Sequence, residues 1–250
     1  MTTAAAIDPS APLPSPDPPA SALQIPAGDA LLGGYAWWQP TQAPAILFAH
    51  GLGQDATFHA ERARAFHDRG WHAVCVASRG WPGSTGNPND YGRSAQTDLT
   101  AVVQTVRQQG CSEIWLFGFS AGGLWLARGL PAVTGIAGLV TVNSPMNVRT
   151  TYRDTLATRM RAFYDEILTA EEQISCSPVT VADQIRTPIL AFGGTQDGMV
   201  PATQAQEICG VVPGSTYVEM VGMRHIPTQN EWQQIMARAA EWMTKIREQV

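Results

Sequence analysis

Ile114-Trp115-Leu116-Phe117-Gly118-Phe119-Ser120-Ala121-Gly122 is the stretch on which the fold of this chain turns. Four strand-forming apolar residues run into a serine flanked by glycines, and a segment with helical character, Ala121 to Leu130, follows at once. A strand that reverses into a helix within a residue or two forces the residue at the tip into a strained conformation, and glycines on either side remove side chains that would collide there. The tip residue, Ser120, is expected to face solvent.

Working outward from that turn, apolar runs and helical periodicities alternate from about residue 30 onward. Leu31 to Trp38 predicts an opening strand or hairpin, and Ala45-Ile46-Leu47-Phe48-Ala49 a strand buried on both faces that ends at His50-Gly51-Leu52-Gly53. Thr57 to Arg69 predicts a helix, His72 to Ala77 a strand, and Leu99, Val102, Val103 and Val106 recur at helical spacing before Gly110. Beyond the serine, Ile136 to Val142, Pro188 to Phe192 and Thr216 to Val221 predict strands, with a helix at Ala202 to Cys209. The last helix opens on Thr228-Gln229-Asn230-Glu231, a capping-box pattern, and carries Trp232, Ile235, Ala239, Trp242 and Ile246 along one face. Such alternation predicts an α/β fold with a mostly parallel, doubly wound sheet and helices on both faces. Leu156, Met160, Phe163 and Ile167, spaced for one helix face, interrupt the rhythm and predict a small helical cap at about 146–187.

Composition narrows the class. With 250 residues, 44% of them hydrophobic, the chain can bury a substantial core as one domain, expected over 23–250. Residues 1–22 are rich in Pro, Ala, Ser and Asp and predict a disordered or extended tail without the features of a secretory signal. The net charge of -5 comes from that end, because Asp8, Asp17, Asp29, Asp55 and Glu61 all precede Arg62, the first Lys or Arg, after which the charges balance. No basic patch points to nucleic acid, no run reaches the roughly 20 apolar residues of a membrane span, and the expected compartment is cytoplasmic. Cys75, Cys111, Cys176 and Cys209 lack paired spacing and the histidines lack ligand spacing, so neither metal nor cofactor is expected.

A serine hydroxyl is a poor nucleophile at neutral pH, so a catalytic Ser120 needs a base within reach and a third group to orient that base. The loop after Phe192 supplies Asp197, and the loop after Val221 supplies His225. Both leave the carboxyl ends of predicted parallel strands, the edge along which open α/β sheets bind ligands. The alternatives are less well placed. Asp183 and Glu207 lie before the strand and in the following helix, and Asp154 and Asp165 in the cap. His59 and His67 sit in a predicted helix, His72 starts a strand, and His50 is expected to brace its own loop.

With Gly118-Phe119-Ser120-Ala121-Gly122 joined to His50-Gly51-x-Gly53 and to the order Ser120, Asp197, His225, the chain resembles the α/β-hydrolase superfamily, and within it small serine esterases, lipases and peptidases. The resemblance covers about residues 30–250. It implies that the backbone N–H groups of Leu52 and Ala121 form an oxyanion hole and that Ser120, His225 and Asp197 cleave an acyl bond of a small-molecule substrate, most simply a carboxylic ester. Arg79-Gly80-Trp81-Pro82-Gly83-Ser84-Thr85-Gly86 is similar to a family loop, with Pro82 where a second glycine is usual and Ala77 where an acid often precedes the arginine. Asp nucleophiles belong to the members that open epoxides or cleave carbon–halogen bonds, and Ser120 argues against both chemistries. Trp81, Met160, Phe163 and Tyr164, with Trp125, are the candidate pocket residues; Arg159 and Arg161 are expected on a solvated helix face. A non-catalytic ligand-binding protein on the same fold, or an acyltransferase, thioesterase or peptidase with the same three residues, stays open at this level, as does oligomeric state.

Overall fold

The computed structural model describes residues 11–16 and 20–248. The tail expected at 1–22 falls partly outside the described residues. Within it, 11–16 form neither helix nor strand, the Pro14 carbonyl accepts the Tyr35 hydroxyl at 2.7 Å, and the first strand begins at Ser21. The chain divides into two compact units, one ending at Ile136 and one beginning at Ala137.

In the first unit, β1 (Ser21–Ala27) and β2 (Ala30–Trp37) form an antiparallel hairpin whose two-residue turn places Gly28 at a φ of 63°. Glycine reaches that region without the Cβ clash that other residues meet. β2 runs antiparallel to β4 (His72–Val76), whereas β3 (Ala43–Ala49) runs parallel to both β4 and β5 (Cys111–Phe119), so the order is β1-β2-β4-β3-β5. The run Ala45 to Ala49 is buried at every position, as a strand covered on both faces requires. The helix expected from Thr57 begins instead as a 3-10 turn, Ala56–His59, before α1 (Ala60–His67), because the Asp55 carboxylate accepts the Thr57 N–H at 2.7 Å and tightens the entry. α2 (Ala95–Arg107) buries Leu99, Val102, Val103 and Val106, and α3 (Ala121–Gly129) starts directly after the serine.

In the second unit, β6 (Ile136–Val142), β7 (Ile189–Gly194) and β8 (Thr216–Met220) are parallel, with Leu139 opposite Ile189 and Leu190 opposite Thr216. The mostly parallel α/β architecture is therefore present in both units. Between β6 and β7 lie three short helices, α4 (Val148–Asp154), α5 (Thr158–Ile167) and α6 (Ala170–Ser175), followed by a 3-10 segment, Pro178–Gln184. Leu156 does not join the buried face of α5. It precedes the helix, 82% exposed, with its N–H bonded to the Gly198 carbonyl at 2.9 Å. A polar cluster anchors α4 to α7 (Thr203–Val211): the Asn147 N–H donates to Gln204 Oε1 at 2.7 Å, and the fully buried Gln204 donates to Thr150 Oγ1 at 2.7 Å. α8 (Gln229–Arg247) has the expected capping box, Thr228 with Glu231, but its buried stripe is Trp232, Ile235, Ala239 and Met243. Steps of 3, 4 and 4 follow a 3.6-residue period more closely than the expected path through Trp242 and Ile246.

Candidate active site

Ser120 closes β5 and heads α3 with φ 52° and ψ −125°, a backbone conformation that a residue with a Cβ rarely adopts. What holds it there is close packing of main chain. A Cβ built on Gly118 would lie 2.4 Å from the Gly123 Cα, and one on Gly122 only 2.3 Å from the Ala49 carbonyl oxygen. Neither glycine has a positive φ, so both are required for close approach and not for their conformational range. Ser120 itself is only 7% exposed, which differs from the solvent-facing tip expected from sequence.

The two residues expected to form the oxyanion hole lie in the same unit. Ala121 is the first residue of α3, where a backbone N–H has no partner within the helix. Leu52 occupies the turn after β3, shaped by Gly53 at φ 73° and by Gln54, whose Oε1 accepts the Gly51 N–H at 2.9 Å. Leu52 and Ala121 both line a cavity of about 40 Å³ together with Trp81, Tyr91, Leu124 and Trp125. Beside it, the buried Arg79 grips the fully buried Asp98 with two donors and also bonds to Asp29 and to the Ala27 carbonyl. Hydrogen bonds to Asp98 raise the guanidinium above its ordinary value, so Arg79 is charged at any working pH. Ala77 offers no carboxylate, but its carbonyl accepts the Ser84 hydroxyl at 2.9 Å while Ser84 Oγ accepts the Gly33 N–H at 2.9 Å, and Thr85 Oγ1 takes the Leu31 N–H at 2.8 Å. The loop that carries Trp81 is thus tied to the edge of β2.

Among the expected pocket residues, Trp81 and Trp125 line this cavity. Met160, Phe163 and Tyr164 belong to α5 in the second unit, where Tyr164 is fully buried with its ring 6.5 Å from that of Tyr152 and 5.8 Å from that of Phe163. Tyr164 is core.

The histidines sort by their partners. Buried His50 sets Nδ1 2.8 Å from the Gly51 carbonyl and accepts the Ser78 N–H on Nε2 at 3.1 Å, an arrangement that assigns the proton to Nδ1. Burial holds its pKa below the ordinary value, so it is the neutral brace of its loop. His59 packs among the rings of Phe48, Phe58 and Phe117 and accepts from Arg62 Nε at 3.0 Å; burial pushes it well below the ordinary range. His72 accepts the Gln39 N–H at 3.0 Å. In the second unit His225 stands differently: its Nδ1 lies 2.8 Å from Asp197 Oδ2. The Asp197 side chain is wholly buried, and its other oxygen accepts the N–H groups of Met199 at 2.8 Å and Val200 at 2.9 Å. Three donors fix the carboxylate, and the carboxylate fixes the orientation of the imidazole.

A family model described as serine aminopeptidase, S33, matches residues 40–180, more than half of the chain. The chain belongs to this family of α/β hydrolases. The matched residues hold the turns of Leu52 and Ser120 and the loop of Arg79, and stop short of Asp197 and His225. Two uncharacterised proteins from the CDC 1551 and H37Rv strains of Mycobacterium tuberculosis are each 28% identical over 206 residues, which span 78% of this chain and 68% of theirs. Among solved structures, an esterase of Pyrococcus furiosus superposes with a TM-score of 0.69 at 18% identity, over 98% of this chain and 97% of its own. Est1E from Butyrivibrio proteoclasticus gives 0.72 at 16%, over 91% and 99%. A puromycin-hydrolysing peptidase of Mycobacterium tuberculosis gives 0.75 at 15%, over 92% of this chain and 39% of that one. Identities this low speak for the fold alone. Among the described residues no helix is long and apolar enough to cross a membrane, and no cluster of three or more His, Cys, Asp and Glu side chains is arranged to hold a metal ion.

Sequence reasoning passed over one residue beside the second pair. Asn143 directly follows β6, buried, at a φ of 49°. The only local hint is its residue type, which tolerates the left-handed region; nothing near it in the sequence marks its partners.

Proposed function

We propose that this protein is a serine hydrolase that cleaves a carboxylic ester through an acyl-enzyme, with Ser120 as nucleophile, His225 as general base and Asp197 as the group that orients it. The observation that carries this reading is the strained backbone of Ser120 at the head of α3, φ 52°, locked by glycines that admit no Cβ. In the mechanism, Ser120 Oγ attacks the ester carbonyl as His225 Nε2 takes its proton, and the oxyanion forms against the N–H groups of Leu52 and Ala121. A donor so placed is worth roughly 3–4 kcal/mol of barrier. The imidazolium, stabilised by Asp197, then protonates the departing alkoxide. Water, deprotonated by the same nitrogen, attacks the acyl-enzyme and releases the acid with Ser120 restored.

The family description and the peptidase among the structural neighbours favour a second reading, cleavage of an amide at a free amino terminus. A free ammonium calls for a carboxylate to receive it. The cavity at Leu52 and Ala121 is lined by two, both already engaged: Asp98 by Arg79, and Asp90 by the N–H and hydroxyl of Ser94 at 3.0 and 2.7 Å. That supports the ester. The test is turnover of a nitrophenyl ester series and of amino-acid nitroanilides, with fluorophosphonate labelling of wild type and Ser120→Ala. Ester turnover and labelling that both vanish in Ser120→Ala are expected. A protein that is neither labelled nor active on any substrate is a ligand-binding member of the fold, and the proposal fails.

A further inference from the structure

We propose that Asn143 is a positioning residue that holds the His225 loop, and through it the imidazole, in register with Asp197; this rests on the reading of His225 as the base. The Asn143 N–H donates to the Phe192 carbonyl at 3.0 Å, which continues the β6–β7 ladder by one residue. Its side chain then leaves the sheet. Nδ2 donates to the carbonyls of Arg224 at 3.0 Å and His225 at 2.9 Å, while Oδ1 accepts the Gly194 N–H at 2.9 Å. Gly194 begins the loop that carries the acid, since its own carbonyl accepts the Asp197 N–H at 3.2 Å. One carboxamide, 2% exposed, therefore joins the root of the acid loop to the backbone of the base.

The chemistry is specific to an amide. The site presents two carbonyls and one N–H, so it needs two donors and one acceptor on a short, rigid stem, and a buried group that lacks any of them strands a partner. The neighbouring backbone is equally close. A Cβ on Gly194 would lie 2.4 Å from the Met223 carbonyl, and the Gln196 N–H donates to that carbonyl at 3.0 Å. With so little room, a displaced His225 carbonyl moves the ring, and an error of about 1 Å in a reacting group costs on the order of 10²-fold in rate.

Two variants separate positioning from support of the strand end. Asn143→Gly keeps the positive φ without strain and deletes only the carboxamide; Asn143→Asp keeps the shape but turns an acceptor toward two carbonyls. Each is assayed for kcat and KM on a nitrophenyl ester, for the pH profile of kcat, for thermal unfolding, and for the NMR resonance of the His225 Nδ1 proton. In Asn143→Gly, kcat falls about 10- to 100-fold with KM within about twofold, and the Nδ1 resonance shifts or broadens. In Asn143→Asp the loss is greater and the acidic limb of the profile moves to higher pH, because a carboxylate beside the His225 backbone favours the imidazolium. If Asn143→Gly does not unfold cooperatively, Asn143→Asp decides alone. Wild-type kcat, pH profile and Nδ1 resonance per folded molecule overturn the proposal, whatever the Tm. Should the wild type prove inactive and unlabelled, the hydrolase reading has failed instead, and the resonance still decides whether Asn143 holds His225.

Discussion

The turn of Ser120 and the loops of Asp197 and His225 are held by opposite means. At the first, main chain is packed against main chain, with Gly118 on Gly123 and Gly122 on Ala49, at distances that leave no room for a methyl group. At the second, side-chain hydrogen bonds do the holding: His225 to Asp197, Met199 and Val200 to Asp197, and Asn143 to both loops. Steric positioning is all-or-none and is coupled to folding, whereas hydrogen-bonded positioning can be altered one bond at a time. The two regions should therefore fail differently when mutated.

Ser120→Gly gives the largest effect and tests whether strain is stored at the turn. On the proposed role of Ser120 as nucleophile, activity should fall on the order of 10⁶-fold. Stability should rise, because glycine occupies a φ of 52° without the cost of roughly 1 kcal/mol that a Cβ incurs there, a gain of about 2–4 °C in Tm for a chain of this size. A variant that is inactive but no more stable than Ser120→Ala would show that the turn is relaxed. Asp197→Asn probes the other region. The new carboxamide oxygen can still accept the Met199 and Val200 N–H groups, so the loop survives, but its NH₂ faces His225 Nδ1 and forces the proton onto Nε2. We expect kcat to drop on the order of 10⁴-fold with an unchanged urea midpoint; an equal loss of stability would erase the contrast.

Much of this was legible in the sequence, and what was not had a common cause. Alternating apolar runs announced the strands, and Gly118-Phe119-Ser120-Ala121-Gly122 announced the turn, because both are local patterns with a period or a fixed spacing. The capping box of Thr228 and Glu231 was visible for the same reason. Asn143 was not, because its partners at Gly194, Arg224 and His225 lie 51, 81 and 82 residues away, and no short-range pattern records them. Leu156 fitted the spacing of a helix face, yet hydrogen bonds to the Gly198 carbonyl hold its backbone outside α5. Ser120 was expected in solvent since a turn tip usually is; its burial is a tertiary property.

A pair of glycines sharpens the steric half of the comparison. Gly122→Ala should cost about 1–3 kcal/mol or more, because the Cβ must displace the Ala49 and His50 carbonyls and thereby the strand end that carries Leu52. Gly210→Ala should do the reverse. It lies within α7, has nothing within 4 Å of its Cβ position and no positive φ, so alanine there is worth roughly 0.5–1 kcal/mol through helix propensity. Urea midpoints of the two variants should move in opposite directions, and a tolerant Gly122 would mean that the turn yields.

The smallest effect expected is in pH, and it too belongs to the unit of Ser120. His50, His59 and His72 are all buried there, and burial lowers the pKa of each, in His59 with a further push from Arg62 and His50. Unfolded, each takes up a proton near its ordinary value of about 6.5; folded, each resists until lower pH. The unfolded state thus binds more protons below about pH 6.5, and stability present above that value is lost as the pH falls through it toward the folded values. We expect the urea midpoint to fall as the pH is lowered from about 7.5 to about 5.5. His59→Phe should flatten the slope, since the ring site between Phe48, Phe58 and Phe117 accepts another aromatic without a titrating group. A midpoint that does not move with pH in the wild type would mean that these rings are protonated as easily folded as unfolded, and that the close packing around the Ser120 turn is looser than its glycines imply.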